Sequence, residues 1–189
     1  IKGLHYMLEA LSDIRKFYPD VRLTVAGGVS LNNAGLKNRL KQKNYQRYLA
    51  KLIEKYSLAE CVEFLPPLKA DEMKRMYLKS NVFVSPSSIE NSPNSLGEAM
   101  MLGVPCVSSL VGGVGNMLIN GAEGFTYQHD APYMLAYYVM EIFRLQEENR
   151  RQLEDMTDMA HSHAMRLFDS EKNAANMLEI YSGIERIKR

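Results

Sequence analysis

Apolar and polar residues follow two different patterns along the chain. Short apolar runs bounded by Gly, Pro, Asn or Asp are typical of strands. The longer segments between them carry apolar residues three and four positions apart, the spacing of one helix face. The predicted strands are Arg22–Ala26, Val62–Leu65, Val82–Ser85, Cys106–Ser109 and Phe125–Tyr127. Strands that alternate with helices predict an α/β fold, with a parallel sheet covered by helices on both faces.

The last third of the chain carries only the helical pattern, so we expect a helical C-terminal segment. Asp130 is predicted to cap the first of three helices there, and Ser170 the third.

Length and composition suit a single globular domain but do not identify what the protein binds. A length of 189 residues suits one domain, and a net charge of +1 gives no electrostatic argument for nucleic acid binding. No apolar run is long enough for a membrane-spanning helix, and the chain opens on a helical pattern rather than a secretory leader. Cys61 and Cys106 lie in apolar, strand-like runs, which predicts buried free thiols. We therefore expect a cytoplasmic protein.

The stretch "VFVSPSSIENSPNSLGEAMMLG" carries the candidate chemistry, because it runs from a predicted strand through a polar loop into a helix. Parallel sheets bind ligands where strands end and helices begin, and a helix N-terminus suits phosphate. Glu90 and Glu98 stand at the two ends of the loop, with seven residues between them. A nucleotide sugar fits this pattern: Glu98 would accept hydrogen bonds from a ribose diol and Glu90 would lie beside the sugar. The spacing alone also fits a dipole-complementing Glu98 and a solvated Glu90.

The sequence around the two glutamates resembles that of glycosyltransferase family 4. The similar part of that family is the C-terminal, donor-binding domain of its two-domain GT-B fold. "PSSIENSPNSLGEAMMLGVPCVSSLVGG" is similar to the family's two-glutamate motif over its whole length. "IKGLHYMLEAL" and "YPDVRLTVAGG" resemble two further family segments, and "VEFLPPL" a third. The resemblance covers nearly the whole chain and implies a Rossmann-like parallel sheet. It does not identify the sugar or the base.

The resemblance also implies roles for individual residues. Lys2 would neutralise the donor pyrophosphate, Glu90 would be the catalytic residue at the transferred sugar, and Glu98 would hold the ribose. The other implied binding residues are Asn91, Ser92 and Asn94 along the sugar and phosphates, Pro67 and Leu68 beside the base, and Gly112 and Gly113 in a loop close to the donor. The resemblance also implies that the reaction retains the anomeric configuration and needs no bound metal, so neither a cofactor nor a metal is expected.

The same resemblance implies that residues 1–189 are a single donor-binding domain. The first strand of the sheet and the acceptor-binding domain would then precede Ile1. That strand is central in the Rossmann-like order, so we expect its place between "RLTVAGG" and "NVFVSPS" to be filled, by upstream chain, by another segment or by a partner chain. A saccharide or lipid-linked acceptor would bind through the preceding domain.

Two departures leave the function open. Asn91 replaces a family glycine, and Asn116 replaces an acidic residue often found after the double-glycine loop. The alternatives to a transferase are a non-catalytic nucleotide-sugar-binding module and a GT-B nucleotide-sugar 2-epimerase.

Residues 37–51 carry six basic side chains and no acidic one, which is compatible with a solvated helix face or with peripheral contact with an anionic membrane. His161 and His163 are two residues apart and have no partner at ligand spacing, so no metal site is expected there.

Overall fold

A computed structural model describes the backbone of residues 2–27 and 36–187, and the side chains of these residues except 36–43 and 185–187. The elements within these ranges, in chain order, are α1 Leu4–Ile14, β1 Leu23–Val25, α2 Leu36–Lys55, β2 Val62–Phe64, α3 Ala70–Lys79, β3 Phe83–Ser85, α4 Asn94–Met101, β4 Cys106–Ser109, α5 Val114–Met117, β5 Phe125–Tyr127, α6 Pro132–Glu148, α7 Arg150–Leu167 and α8 Ser170–Ile187. The predicted alternation of strands and helices is confirmed, as is the helical C-terminal segment.

The strands are parallel, as predicted, but they form two sheets. β1 pairs with β2, in a register that sets Leu23 opposite Val62, and the second sheet has the order β3-β4-β5. The second sheet sets Phe83 opposite Cys106 and Val107 opposite Phe125. Among the described residues the predicted parallel sheet is therefore divided between β1 and β3, at the place that the resemblance implied for a further strand.

Strand β4 shows why the second sheet needs helices on both faces. All four of its residues are buried, and successive side chains point to opposite faces. Val107 belongs to a core with α1 and α6, while Cys106 belongs to a second core with α4, α5 and α7. Cys61 and Cys106 are buried free thiols, as predicted.

A groove of about 1740 Å³ lies between β1 and β3 and is lined by residues of both strands. No described segment of the chain fills the place between them, so that part of the expectation is not met. The exposed side chains of Phe17, Lys79 and Asn81 on the groove wall show that it opens to solvent. Backbone groups at the strand edges can then bond to water, so an unfilled place does not carry the cost of burying them without a partner.

Two predicted helix caps are corrected. Helix α6 begins at Pro132 with Ala131 at its cap position, because proline suits the first helical turn, and Asp130 lies one residue too early. At α8 the carboxylate of Asp169 accepts a hydrogen bond from the Lys172 N–H, at 3.0 Å, and takes the role predicted for Ser170. Among the described helices, none combines the length and the apolar character that crossing a bilayer requires.

Candidate functional site

The loop between β3 and α4 is tied to the sheet beneath it by buried serines. The Ser109 hydroxyl, at the end of β4, donates to the carbonyl oxygens of Ser87 at 2.5 Å and Ser85 at 3.3 Å. Ser87 is 3% exposed, and its own hydroxyl donates to the Glu90 carboxylate at 2.9 Å. A chain of hydrogen bonds therefore runs from the sheet to Glu90 and fixes the position of its carboxylate.

Lys2 and Glu90 are 88 positions apart in sequence and form an ion pair. The side chain of Glu90 is 15% exposed and that of Lys2 is 77% exposed. Burial acts to raise the pKa of Glu90, but the hydrogen bonds from Lys2 and Ser87 and the Lys2 charge outweigh it and lower that pKa. Glu90 is thus held as a carboxylate, and the ammonium of Lys2 remains open to a further anion.

Two glycines allow the close approaches on which this arrangement depends. Gly3 has φ 67° and lies so close to Pro86 that a Cβ would overlap the Pro86 carbonyl oxygen. Gly112 has φ 52°, and a Cβ there would overlap the carbonyl oxygen of Glu90. Only glycine suits such backbone positions. They bring Lys2 on one side and the double-glycine loop on the other against the segment that carries Glu90.

The double-glycine loop is also bonded directly to the glutamate loop. The Gly113 N–H donates to the Asn91 carbonyl oxygen at 2.7 Å, and the Ser92 hydroxyl lies 3.5 Å from the sulfur of Met117 in α5. The structure therefore brings together Lys2, Glu90, Asn91, Ser92 and the two glycines. Their roles in binding a donor stay predictions.

Glu98 lies on the exposed side of α4, one turn after the helix begins at Asn94, which is also exposed. One of its carboxylate oxygens, Oε2, accepts a hydrogen bond from the Tyr77 hydroxyl at 3.0 Å. Burial and the neighbouring Glu98 carboxylate raise the pKa of Tyr77, so the hydroxyl stays protonated and remains a donor.

Pro67 and Leu68 lie in the segment between β2 and α3, with Pro67 exposed and Leu68 half-buried. No hydrogen bond joins them to the residues around Glu90, so their proximity to a nucleotide base stays a prediction. The groove between β1 and β3 is also lined by Lys2, Ser87, Glu90 and Ser95. The candidate site and the groove are therefore continuous.

Sequence reasoning missed Ser87, Ser109 and Tyr77. Ser87 sits within the quoted motif, and a small polar residue three positions before a loop glutamate was the available signal. Tyr77 precedes Glu98 by 21 positions on another helix, and nothing in the local pattern connects them. Among the described residues, no group of three His, Cys, Asp or Glu side chains is placed to hold a metal ion. His163 instead bonds to the buried Glu123 at 2.9 Å.

Comparison with known proteins identifies the family. The family described as "Glycosyl transferases group 1" matches residues 1–157 of this chain. The chain belongs to this family. Among curated relatives, this group 1 chain is 26% identical to D-inositol 3-phosphate glycosyltransferase of Corynebacterium urealyticum, over 97% of the chain and 41% of the relative. It is 25% identical to spore coat protein SA of Bacillus subtilis, over 96% of the chain and 45% of that protein. The chain spans less than half the length of these relatives.

Solved structures confirm the fold. Sucrose-phosphate synthase of Thermosynechococcus elongatus superimposes with a TM-score of 0.81 at 22% identity, over 98% of this chain and 43% of that one. Anabaena HepE, solved in complex with UDP, gives a TM-score of 0.79 at 22% identity, over 96% of this chain and 45% of that one. A crystallised C-terminal domain of a group 1 protein, LpcC of Francisella tularensis, gives a TM-score of 0.70 at 16% identity, over 87% of this chain and 78% of that one. The predicted family and fold class are confirmed.

Proposed function

We propose that this chain is the donor-binding half of a retaining glycosyltransferase, which transfers a sugar from a nucleotide-diphospho-sugar to a saccharide or lipid-linked acceptor held by a further domain. The observation that carries the proposal is the convergence of Lys2 and the double-glycine loop on the segment that carries Glu90. Lys2 and Glu90 also line the groove. Membership of group 1 and the UDP complex of Anabaena HepE support a nucleotide sugar as the ligand.

The ion pair between Lys2 and Glu90 suggests how a donor would be received. The Lys2 ammonium has three N–H donors and is largely exposed, so a pyrophosphate can take some of them while Ser87 continues to hold Glu90. Glu90 then remains ionised beside the hydroxyls of the sugar to be transferred. The departing nucleotide would be stabilised by the Lys2 charge and by the N-terminus of α4.

The proposal is tested by thermal unfolding of the chain with UDP, ADP, GDP, UDP-glucose, ADP-glucose and GDP-mannose. A ligand at a hundred times its dissociation constant adds about 2.7 kcal/mol to the free energy of unfolding. We expect one base to give this shift. Lys2→Gln should reduce it, while Lys16→Gln, which removes an exposed lysine paired with Asp13, should not. A chain that none of the six compounds stabilises would contradict the proposal.

We propose further that the reaction needs no metal, because cationic side chains and a helix N-terminus supply the positive charge. The ligand-induced shift should then be the same with EDTA as with magnesium. The anomeric configuration of the product, read by NMR from a longer protein that contains the acceptor domain, tests the retaining mechanism.

Peripheral contact with an anionic membrane is the remaining part of the proposal. Arg47 and Lys51 on α2 are exposed, and the side chains of Lys37, Arg39, Lys41 and Lys43 lie outside the described residues. Flotation with vesicles of neutral lipid, and with vesicles containing anionic lipid, decides between contact and a solvated helix face. Equal flotation with both would contradict contact.

A further inference from the structure

The Tyr77 hydroxyl lies directly beneath the exposed carboxylate of Glu98. Tyr77 is 5% exposed, on the inner face of α3, and its ring packs edge-on against Phe83 with the ring centroids 5.6 Å apart. The hydroxyl donates to Glu98 Oε2 at 3.0 Å and lies 3.3 Å from the carbonyl oxygen of Ser95. The hydroxyl of Tyr77, a core residue, is thus the polar atom that contacts the first turns of α4.

Packing alone does not require this hydroxyl. A phenylalanine would fill the same space between α3, β3 and α4, because the ring makes the apolar contacts. What tyrosine adds is a donor whose position is set by the core and not by solvent. The pKa of Tyr77 is raised by burial and by the Glu98 carboxylate, so the hydroxyl donates over the whole working pH range.

The geometry points to Tyr77 as a positioning residue, which fixes the Glu98 carboxylate for the ribose diol and so favours ribonucleotides over their deoxy analogues at this site. This inference rests on the proposed function, in which Glu98 binds the ribose. An exposed glutamate samples several rotamers, and binding must immobilise one of them. With Oε2 anchored to Tyr77, the carboxylate is already oriented and Oε1 remains available to the sugar hydroxyls.

Tyr77→Phe is the direct test, because it removes one oxygen atom and keeps the ring. The probe is the nucleoside diphosphate among UDP, ADP and GDP that gives the largest thermal shift, together with its 2′,3′-dideoxy analogue. Calorimetry should show a roughly three- to tenfold loss of affinity for the ribonucleotide. Affinity for the dideoxy compound should change less than twofold.

A double-mutant cycle separates positioning from a structural effect. In a Glu98→Gln background, Tyr77→Phe should cause little further loss, because the carboxylate through which it acts is gone. Tyr127→Phe is the matched control: it also removes a buried tyrosine hydroxyl, but on β5, and should leave both affinities unchanged.

Each outcome of this experiment decides the inference. Equal losses for the ribonucleotide and its dideoxy analogue, or an undiminished loss in the Glu98→Gln background, would show a structural role and overturn it. If Glu98→Gln weakens ribonucleotide binding and Tyr77→Phe does not, the inference fails and the proposed function stands. If none of the three nucleotides binds the wild-type chain, both fail together.

Discussion

At the scale of single residues, the two glutamates of the loop stand in different surroundings. Glu90 is largely buried and holds two partners, the ammonium of Lys2 and the hydroxyl of Ser87. Glu98 is exposed and is held from below by Tyr77 alone among the described residues. The structure therefore separates a carboxylate already engaged by a cation from one that presents an oxygen atom to solvent.

This difference predicts different responses to the same substitution. We expect Glu98→Ala to weaken nucleoside diphosphate binding by about 1.5–3 kcal/mol, the value of a charge-assisted hydrogen bond. Glu90→Ala should leave that binding nearly unchanged or slightly stronger, since Lys2 is then released toward the pyrophosphate. Calorimetry with both variants checks this, and equal losses would show that the roles are wrongly assigned.

A second residue-scale prediction concerns Tyr127. This side chain is 3% exposed, and its hydroxyl is buried with no hydrogen-bond partner among the described residues. An unsatisfied buried hydroxyl costs roughly 1–3 kcal/mol. Tyr127→Phe should therefore raise the free energy of unfolding by about 0.5–2 kcal/mol, because it keeps the ring and removes the unpaired hydroxyl.

Urea denaturation measures this change, with Tyr77→Phe as the comparison. That substitution removes a hydroxyl with two acceptors nearby and should lower stability. A decrease for both variants would mean that Tyr127 has a partner.

Much of the candidate site was predictable at this scale, because many of its residues stand in short sequence motifs. Lys2-Gly3, the two glutamates and Gly112-Gly113 each stand in a short motif whose residue types match one chemical task. Ser109 and Tyr77 act through contacts across 22 and 21 positions. Such contacts depend on how α3, α4 and β4 pack against one another. The pattern of residues along a single sequence does not show which side chains meet across that separation.

At the scale of elements, helix α4 depends on a close approach to the end of α7. Gly97 lies in α4 opposite the ring of Phe168, and a Cβ at this position would overlap that ring. We expect Gly97→Ala to lower the free energy of unfolding by about 1–2 kcal/mol, since overpacking outweighs the gain in helix propensity.

The matched control is Gly183→Ala in α8, where a Cβ would meet open space. The same substitution there should raise stability by about 0.5–1 kcal/mol. Thermal unfolding of both variants, and of Gly97→Ala with Phe168→Leu, tests the steric explanation. It is wrong if the smaller side chain at 168 restores nothing.

The elements themselves were predictable, but their assembly was less so. Apolar periodicity placed every described strand within two residues of its observed bounds. The resemblance located the break between β1 and β3, but the expectation that another segment fills it was not met for the described residues. The predicted caps at Asp130 and Ser170 failed for a local reason. Pro132, two residues after Asp130, sets the start of α6, and Asp169, one residue before Ser170, caps α8.

At the scale of the whole molecule, we predict that this 189-residue chain binds a donor but does not transfer sugar. Transfer needs a site closed from water with the acceptor in place, and the chain spans less than half of its curated relatives. Incubation with radiolabelled donor and with oligosaccharide or lipid acceptors measures this. Labelled product from the purified chain would contradict it, whereas slow donor hydrolysis would not.

The groove between the two sheets has a consequence for amide hydrogen exchange. In parallel strands, successive residues direct their N–H groups to opposite edges. Leu23 and Phe83 donate toward β2 and β4, so the amides of Thr24 and Val84 point into the groove. We expect Thr24 and Val84 to exchange faster than their neighbours Leu23 and Phe83 in the same strands. Exchange resolved residue by residue by NMR checks this, and uniform protection along both strands would contradict it. A strand that pairs in the groove, from this protein or from another, would bond to these two amides and slow their hydrogen exchange. The exchange rates of Thr24 and Val84 would therefore detect such pairing.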